Sequence, residues 1–255
     1  MRRSILDEQR LRWAAKPQLR TIYADYYRQL VYSCKSGSTL EVGGGSGNLK
    51  AYAGDVISTD IVAAPWLDAI ADAQALPFAS SSLGNVVGVD VLHHIERPCR
   101  FLTEVQRVLQ PGGRLVMLEP AITPLSWLFY RFLHPEPLML SADPLGDGAL
   151  DPGRPPFDAN QAIPTLLFGR HRQRMERMFP LLRVVELRYL SLIAYPLSGG
   201  FRRWSLIPAA IVAPLLRLEQ SLAPVLGRLM AFRLFVVMER LHSSPASDAR
   251  GSTIA

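Results

Sequence analysis

Cysteine is nearly absent from this chain. Cys34 and Cys99 are the only two in 255 residues, and neither belongs to a pairing or ligand motif. That excludes a disulfide scaffold or a zinc ribbon and suits a reducing, cytoplasmic setting. Also missing is the unbroken apolar run of about 20 residues that a bilayer span needs; Ser205 to Leu216 offers about a dozen, interrupted by Pro208 and Pro214. Met1-Arg2-Arg3-Ser4 lacks the apolar core of a signal peptide. A formal charge of +6 comes without a lysine-rich tract or a basic helix interleaved with aromatics, so no nucleic-acid partner is expected. An anionic lipid or substrate suits the excess arginine as well. With 49% hydrophobic and 20% charged residues, the chain has core enough for one domain carrying a large insertion.

What is present is a dense glycine turn, Glu41-Val42-Gly43-Gly44-Gly45-Ser46-Gly47, directly after the apolar end of a strand. Glycines so close together weaken helix or strand and mark a place where another surface approaches the backbone. Strand, glycine turn and helix form the nucleotide cradle of doubly wound α/β proteins. The dinucleotide fingerprint needs a third glycine, but Asn48 or Lys50 stands there, depending on where the count begins. The phosphate loop needs Gly-Lys-Ser/Thr, and the chain has Asn48-Leu49-Lys50. A nicotinamide-dependent oxidoreductase is thereby disfavoured.

The surrounding pattern alternates. Leu19, Ile22, Tyr23, Tyr26 and Leu30 predict a helix over Pro17–Ser33. Strands are expected near Thr39–Leu40, Val56–Thr59, Ala69–Ala71, Asn85–Val89 and Arg114–Leu118. The apolar face Phe101, Leu102, Val105, Val108 and Leu109 predicts a helix stopped by Pro111-Gly112-Gly113. Residues 134–164 read as a long irregular connection, of a length usually tied to function. A helix over Thr165–Met178 and strands at Val184–Tyr189 and Phe232–Met238 complete a doubly wound, Rossmann-like, mainly parallel sheet of seven strands. Three parts are expected: an N-terminal helical segment 1–35 serving as an active-site lid, a main domain 36–242 with a helical, apolar insertion at about 191–231, and a disordered tail 243–255. In the insertion Leu215, Leu218, Leu222, Val225 and Leu229 keep helical spacing. They read either as a cap packed on the core or as an interfacial element meeting a membrane through 201–231.

An acidic residue followed by alternating glycines resembles the first motif of the class I S-adenosylmethionine-dependent methyltransferases. Asp72-Ala73 before Leu76-Pro77-Phe78, Asp90-Val91-Leu92-His93-His94-Ile95, and Glu104 through Gly113 resemble further motifs of the same family, in the branch that methylates quinones, sterols and other small molecules. The resemblance covers about residues 39–120. Segments 157–164 and 195–201 look similar to uncharacterised bacterial methyltransferases. The resemblance implies S-adenosyl-L-methionine as cofactor, with S-adenosyl-L-homocysteine as product. It implies contacts from Glu41, Gly43, Gly44, Gly45, Gly47, Asp60, Ile61, Asp72, Ala73, Asp90 and Val91. Asp60, a strand-end carboxylate about twenty residues past Glu41, is placed to accept both ribose hydroxyls. The resemblance assigns Asp72 and Ala73 to the adenine.

His93 and His94 are the catalytic candidates, since methyl transfer to oxygen needs a proton removed near neutral pH. A metal is not expected of them, because adjacent residues do not share a face and no Cys, Asp or Glu partner sits at ligand spacing. Tyr23, Tyr27, His134, Glu136, Asp158, Asn160 and Gln161 are candidate acceptor contacts. The expected acceptor is a small molecule, or a lipid- or glycan-linked one. A non-catalytic scaffold of the same fold is the competing expectation.

Overall fold

The computed structural model describes residues 4–242; the expected tail at 243–255 lies outside the described residues. Two helices open the chain, α1 (Ile5–Ala15) and α2 (Pro17–Ser33). Ser4 caps α1 in a reciprocal box with Asp7, and Pro17 starts α2 at a position where its missing N–H costs nothing. The predicted bounds of α2 match, and its apolar face, Leu19 to Leu30, is buried.

Next come β1 (Thr39–Glu41), β2 (Val56–Asp60), β3 (Ala69–Ile70), β4 (Leu83–Val89), α3 (Pro98–Val108), β5 (Leu109–Pro120) and α4 (Pro124–Phe132). After a connection with no helix or strand come α5 (Ile163–Thr165), α6 (Arg172–Met178), β6 (Leu182–Leu190), α7 (Ala194–Ser198), α8 (Ala209–Met230) and β7 (Arg233–Arg240). The seven strands lie in the order β3-β2-β1-β4-β5-β7-β6. All neighbours are parallel except β7, which runs antiparallel to both β5 and β6. One face of the sheet buries Phe101, Leu102 and Val105 of α3 with Leu167 and Met175; the other buries α2 with Val212 and Leu216 of α8.

Several expectations need correction. β5 starts earlier than Arg114 because Leu109 already pairs with Leu83, and Gln110–Gly113 bulge out before Arg114 meets Asn85. The single helix expected over Thr165–Met178 is broken: Leu166–Arg170 is a π-turn around Gly169 between α5 and α6. Helix α4 was not expected at all.

Within the insertion, after α7, α8 runs as a 22-residue helix straight through Pro214 and Pro224, long and apolar enough by composition to cross a bilayer. Of the predicted stripe, Leu215 packs against the core. Leu218, Leu222, Val225 and Leu229 are exposed, as is Ile211, while Val212, Leu216, Glu219 and Gly227 face the domain. The helix does cap the core, through Val212, Leu215 and Leu216, while the rest of the predicted stripe faces outward. Alongside, α4 exposes Leu125, Trp127, Leu128 and Phe132, and a cleft of about 470 Å³ runs between it and residues 192–197.

Candidate active site

Chain order reverses between β1 and β4, since β2 lies on one side of β1 and β4 on the other. Open parallel sheets hold ligands at such a point, outside the carboxyl ends of the strands. A cavity of about 690 Å³ lies there, walled by the glycine turn, the strand-end acids, the His93–His94 turn, the 134–136 and 150–157 stretches and the 199–204 loop.

The glycine turn needs its glycines for two reasons. Gly43, Gly45 and Gly47 have φ of 63°, 49° and 70°, where a Cβ is strained. A Cβ on Gly43 would also sit 2.4 Å from a Val91 methyl carbon. Gly44 N–H donates to the Thr59 carbonyl at 2.8 Å and Gly45 N–H to Asp60 Oδ2 at 3.0 Å. Asp60 also accepts from Val62 N–H at 3.0 Å, so one carboxylate fixes the turn and still faces the cavity. Trp66, which sequence reasoning missed, donates its indole N–H to the Gly45 carbonyl at 2.8 Å. A Cβ on Gly47 would meet the Trp66 ring at 2.6 Å. Gly47 therefore serves the turn from outside the cavity wall, while Gly43, Gly44 and Gly45 line it.

Glu41 is buried at the cavity floor and accepts the Ser58 hydroxyl. Burial outweighs that hydrogen bond and the charge of Lys50, and the Glu41 carboxyl is pushed up to about 7. Ile61 stands half exposed at the rim. Asp72 accepts from Gln74 N–H at 2.8 Å and shares the wall with Ala73. Asp90 and Val91 line the opposite side. Asp90 takes the left-handed region at φ 57°, and its carboxylate accepts the Tyr23 hydroxyl at 3.0 Å and pairs with Arg233. Arg233 is buried and lies 4.0 Å over the Tyr195 ring. Asp90 is thus committed to a buried ion pair; no periodicity announced Arg233, one charge at the start of an apolar strand.

The paired histidines lie on a 3₁₀ turn, Leu92–His94, with ring centroids 4.2 Å apart. On this tight turn neighbouring side chains converge rather than diverge. Buried Glu119, at the end of β5, accepts Val91 N–H at 2.9 Å and Leu92 N–H at 2.8 Å through one oxygen. Its other oxygen lies 2.8 Å from His93 Nδ1. Burial alone would lower the His93 pKa, but the hydrogen bond and charge of Glu119, helped by Asp90 and Glu136, raise it. His94 moves the other way, through burial and the charge of His93.

From the irregular connection, Glu136 brings a carboxylate oxygen to 3.7 Å from His93 Nε2, and Gln161 donates to that carboxylate. His134 lines the same chamber. Asn160 pins the connection through both Met139 backbone groups, and Asp158 contributes its carbonyl to His94. Tyr23 and Tyr27 close the wall from α2, and Leu6 and Gln9 from α1. Arg10 lies 4.5 Å over the Trp66 ring, holding α1 across the glycine turn. Lys16 Nζ binds the carbonyls of Ser198, Gly200, Arg202 and Trp204 at 2.6–3.0 Å, which fixes the 199–204 wall to the same N-terminal segment.

The family described as methyltransferase domain matches residues 40–117. A ubiquinone/menaquinone biosynthesis C-methyltransferase of Paracoccus denitrificans is 41% identical over 64 residues, 24% of this chain and 26% of that protein. A demethylmenaquinone methyltransferase of Renibacterium salmoninarum is 38% identical over 73 residues, 27% of this chain and 31% of its own. The chain thus matches about a quarter to a third of the length of these curated relatives. Among solved structures, an S-adenosylmethionine-dependent methyltransferase from Archaeoglobus fulgidus superposes with a TM-score of 0.51 at 15% identity, covering 87% of this chain and 94% of that one. A Bacillus halodurans protein gives 0.51 at 16%, covering 85% and 99%. At such identities the superpositions speak for the fold, and the family match runs from β1 into β5. Residues 40–117 thus match a methyltransferase domain, and the chain has the fold of the class I S-adenosylmethionine-dependent methyltransferases.

Proposed function

We propose that the protein transfers a methyl group from S-adenosylmethionine to a small-molecule acceptor. The observation that carries this is the glycine turn at the sheet's switch point, with no third glycine for a pyrophosphate and with Asp60 braced against it at the cavity wall. The residues fit the nucleoside. Gly43, Gly44 and Gly45 offer backbone where a side chain would collide, Asp60 retains acceptor capacity for a ribose diol, and Asp72 and Ala73 wall the far side for the base. When bound, the cofactor supplies a methyl group already made electrophilic by its sulfonium charge.

This chain's residues then have mainly a positional task. The acceptor is held in the chamber walled by His93, His94, His134 and Glu136, opposite Tyr23 and Tyr195. A proton leaving an attacking hydroxyl would go into that polar cluster, with the Glu119 carboxylate orienting His93. Helix α1 acts as the lid, tethered through Arg10 and Lys16.

The finer reading is an acceptor with an apolar, lipid-like tail, met by a protein that sits peripherally on a membrane. It is supported by the exposed apolar residues of α4 and α8 and by the cleft beside α4, which shares Phe129 and Pro196 with the main cavity. Arg131, Arg217 and Arg228 on these helices suit anionic headgroups.

Calorimetry with S-adenosylmethionine, S-adenosylhomocysteine and NAD tests the core proposal. Binding of the first two, weakened by roughly 1–3 kcal/mol in Asp60→Ala, is expected. NAD binding without a response to the sulfonium ligand would overturn it. Product mass spectrometry with labelled cofactor and cell extract then identifies the acceptor.

A further inference from the structure

Glu119 does more than orient His93. Both of its oxygens are spent as acceptors, on two backbone N–H groups and on His93 Nδ1. Nδ1 is therefore the donor, and in the neutral ring the lone pair lies on Nε2. That lone pair lies 3.7 Å from a carboxylate oxygen of Glu136. Two acceptors confronting each other in a chamber wall repel unless a positive centre lies between them.

The neighbouring ring completes a set. His94 turns Nδ1 toward the Asp158 carbonyl, at 3.3 Å, which leaves its Nε2 as the free ligand atom. One ligand atom each from His93, His94 and Glu136 lie within 4.8 Å of one another. Each of the three carries an outer partner that fixes it: Glu119 for His93, the Asp158 carbonyl for His94 and the Gln161 amide for Glu136. This is the arrangement of ligand and orienting group found around protein-bound metals. Gln161 adds an independent sign. It is 3% exposed, it lines the cavity, and its Oε1 has no hydrogen-bond partner among the described residues. A buried acceptor of that kind calls for a donor, such as a water on an ion.

We infer that His93 Nε2, His94 Nε2 and the Glu136 carboxylate form a binding site for a first-row divalent transition cation. Two imidazoles and a carboxylate suit zinc, cobalt, manganese or ferrous iron rather than calcium or magnesium. Three protein ligands leave coordination positions open toward the acceptor chamber. For the methyl-transfer reading, on which this consequence alone rests, such an ion selects acceptors that present oxygen and makes a hydroxyl more acidic.

The test uses the full chain, tag-free and stripped with chelator, titrated with Co²⁺ and followed by visible absorption and calorimetry. Expected is one equivalent bound with d–d bands characteristic of nitrogen and oxygen ligands. His94→Ala and Glu136→Gln should each abolish the tight event, and Glu119→Gln should weaken it by roughly 10–100-fold. His94 and Glu136 are only partly buried, so these variants are expected to fold, as circular dichroism verifies. No tight binding, or tight binding unchanged in the His94→Ala/Glu136→Gln pair, would overturn the site and leave a proton as the positive centre. S-adenosylmethionine binding measured on the same samples reports separately on the methyl-transfer reading.

Discussion

Glu41 gives the sharpest quantitative consequence of the site. The residue is 4% exposed, beneath the glycine turn, with the Ser58 hydroxyl as its side-chain partner. Burial raises it from an ordinary 4.5 to about 7, in spite of Ser58 and Lys50 and with help from Asp60 and Asp68. A raised carboxyl means the folded chain holds this proton more tightly than the unfolded one. The stabilisation is complete below about pH 4.5 and is lost as pH rises through about 7. The difference of about 2.5 pH units, at about 1.4 kcal/mol each, amounts to about 3–4 kcal/mol.

Glu41→Gln keeps an acceptor for Ser58 and deletes the ionisation. It should match the parent near pH 4.5 and exceed it by about 3–4 kcal/mol at pH 8, which in a chain of this size is about 6–16 °C in Tm. Thermal unfolding of both proteins from pH 4.5 to 8.5, in buffers of equal ionic strength, measures it. Parallel curves across that range would refute the reasoning, because they would mean that Glu41 ionises alike in both states.

Three further outcomes are expected. Gly43→Ala places a Cβ 2.4 Å from the Val91 methyl carbon at φ 63°; it should cost more than about 2 kcal/mol of stability by denaturant titration and remove cofactor affinity. Arg233→Met strips the buried partner from Asp90 and should cost about 3–5 kcal/mol, whereas Arg233→Met with Asp90→Asn should recover part of that loss. Leu218→Glu with Val225→Glu changes only exposed positions of α8; it should leave Tm within about 1 kcal/mol equivalents of the parent and abolish flotation with anionic vesicles, while absence of flotation by the parent would refute the membrane reading.

The first half of the fold was legible because a covered parallel sheet writes itself as short apolar runs, each ending where the ligand waits. Val56–Asp60 and Asn85–Val89 followed by Asp90 were readable for that reason, and the glycine turn marked the cradle between them. The second half was not. Helix α4 carries Trp127, Phe129, Tyr130 and Phe132 nearly all the way round, so no polar face betrays its period. The break at Leu166–Arg170 depends on a π-turn that spacing does not encode. At the site, Glu119, Glu136 and Arg233 reach the His93 and Asp90 turns from 26, 43 and 143 residues away. A lone charge at the end of an apolar strand has no periodic signature, and only the sheet order brings β5 and β7 beside β4's end.

Helix α8 shows a different limit. Periodicity identifies which residues share a face, and Leu218, Leu222, Val225 and Leu229 do share one; it does not say which way that face points. The orientation is set by Glu219. Its carboxylate is buried and accepts the N–H groups of Ile193 and Ala194 at the start of α7, and burial raises its pKa. Turning the leucine stripe inward would carry Glu219 outward and leave those two N–H groups without an acceptor, a cost of about 1–3 kcal/mol for each buried donor. Close approach acts the same way at the other end of the helix: Gly227 lies where a Cβ would come within 2.7 Å of Tyr189, so that turn meets β6 through its smallest residue. Val212 and Leu216 cover the core from this helix, Glu219 and Gly227 share their inward face, and Leu218, Leu222, Val225 and Leu229 are left outward.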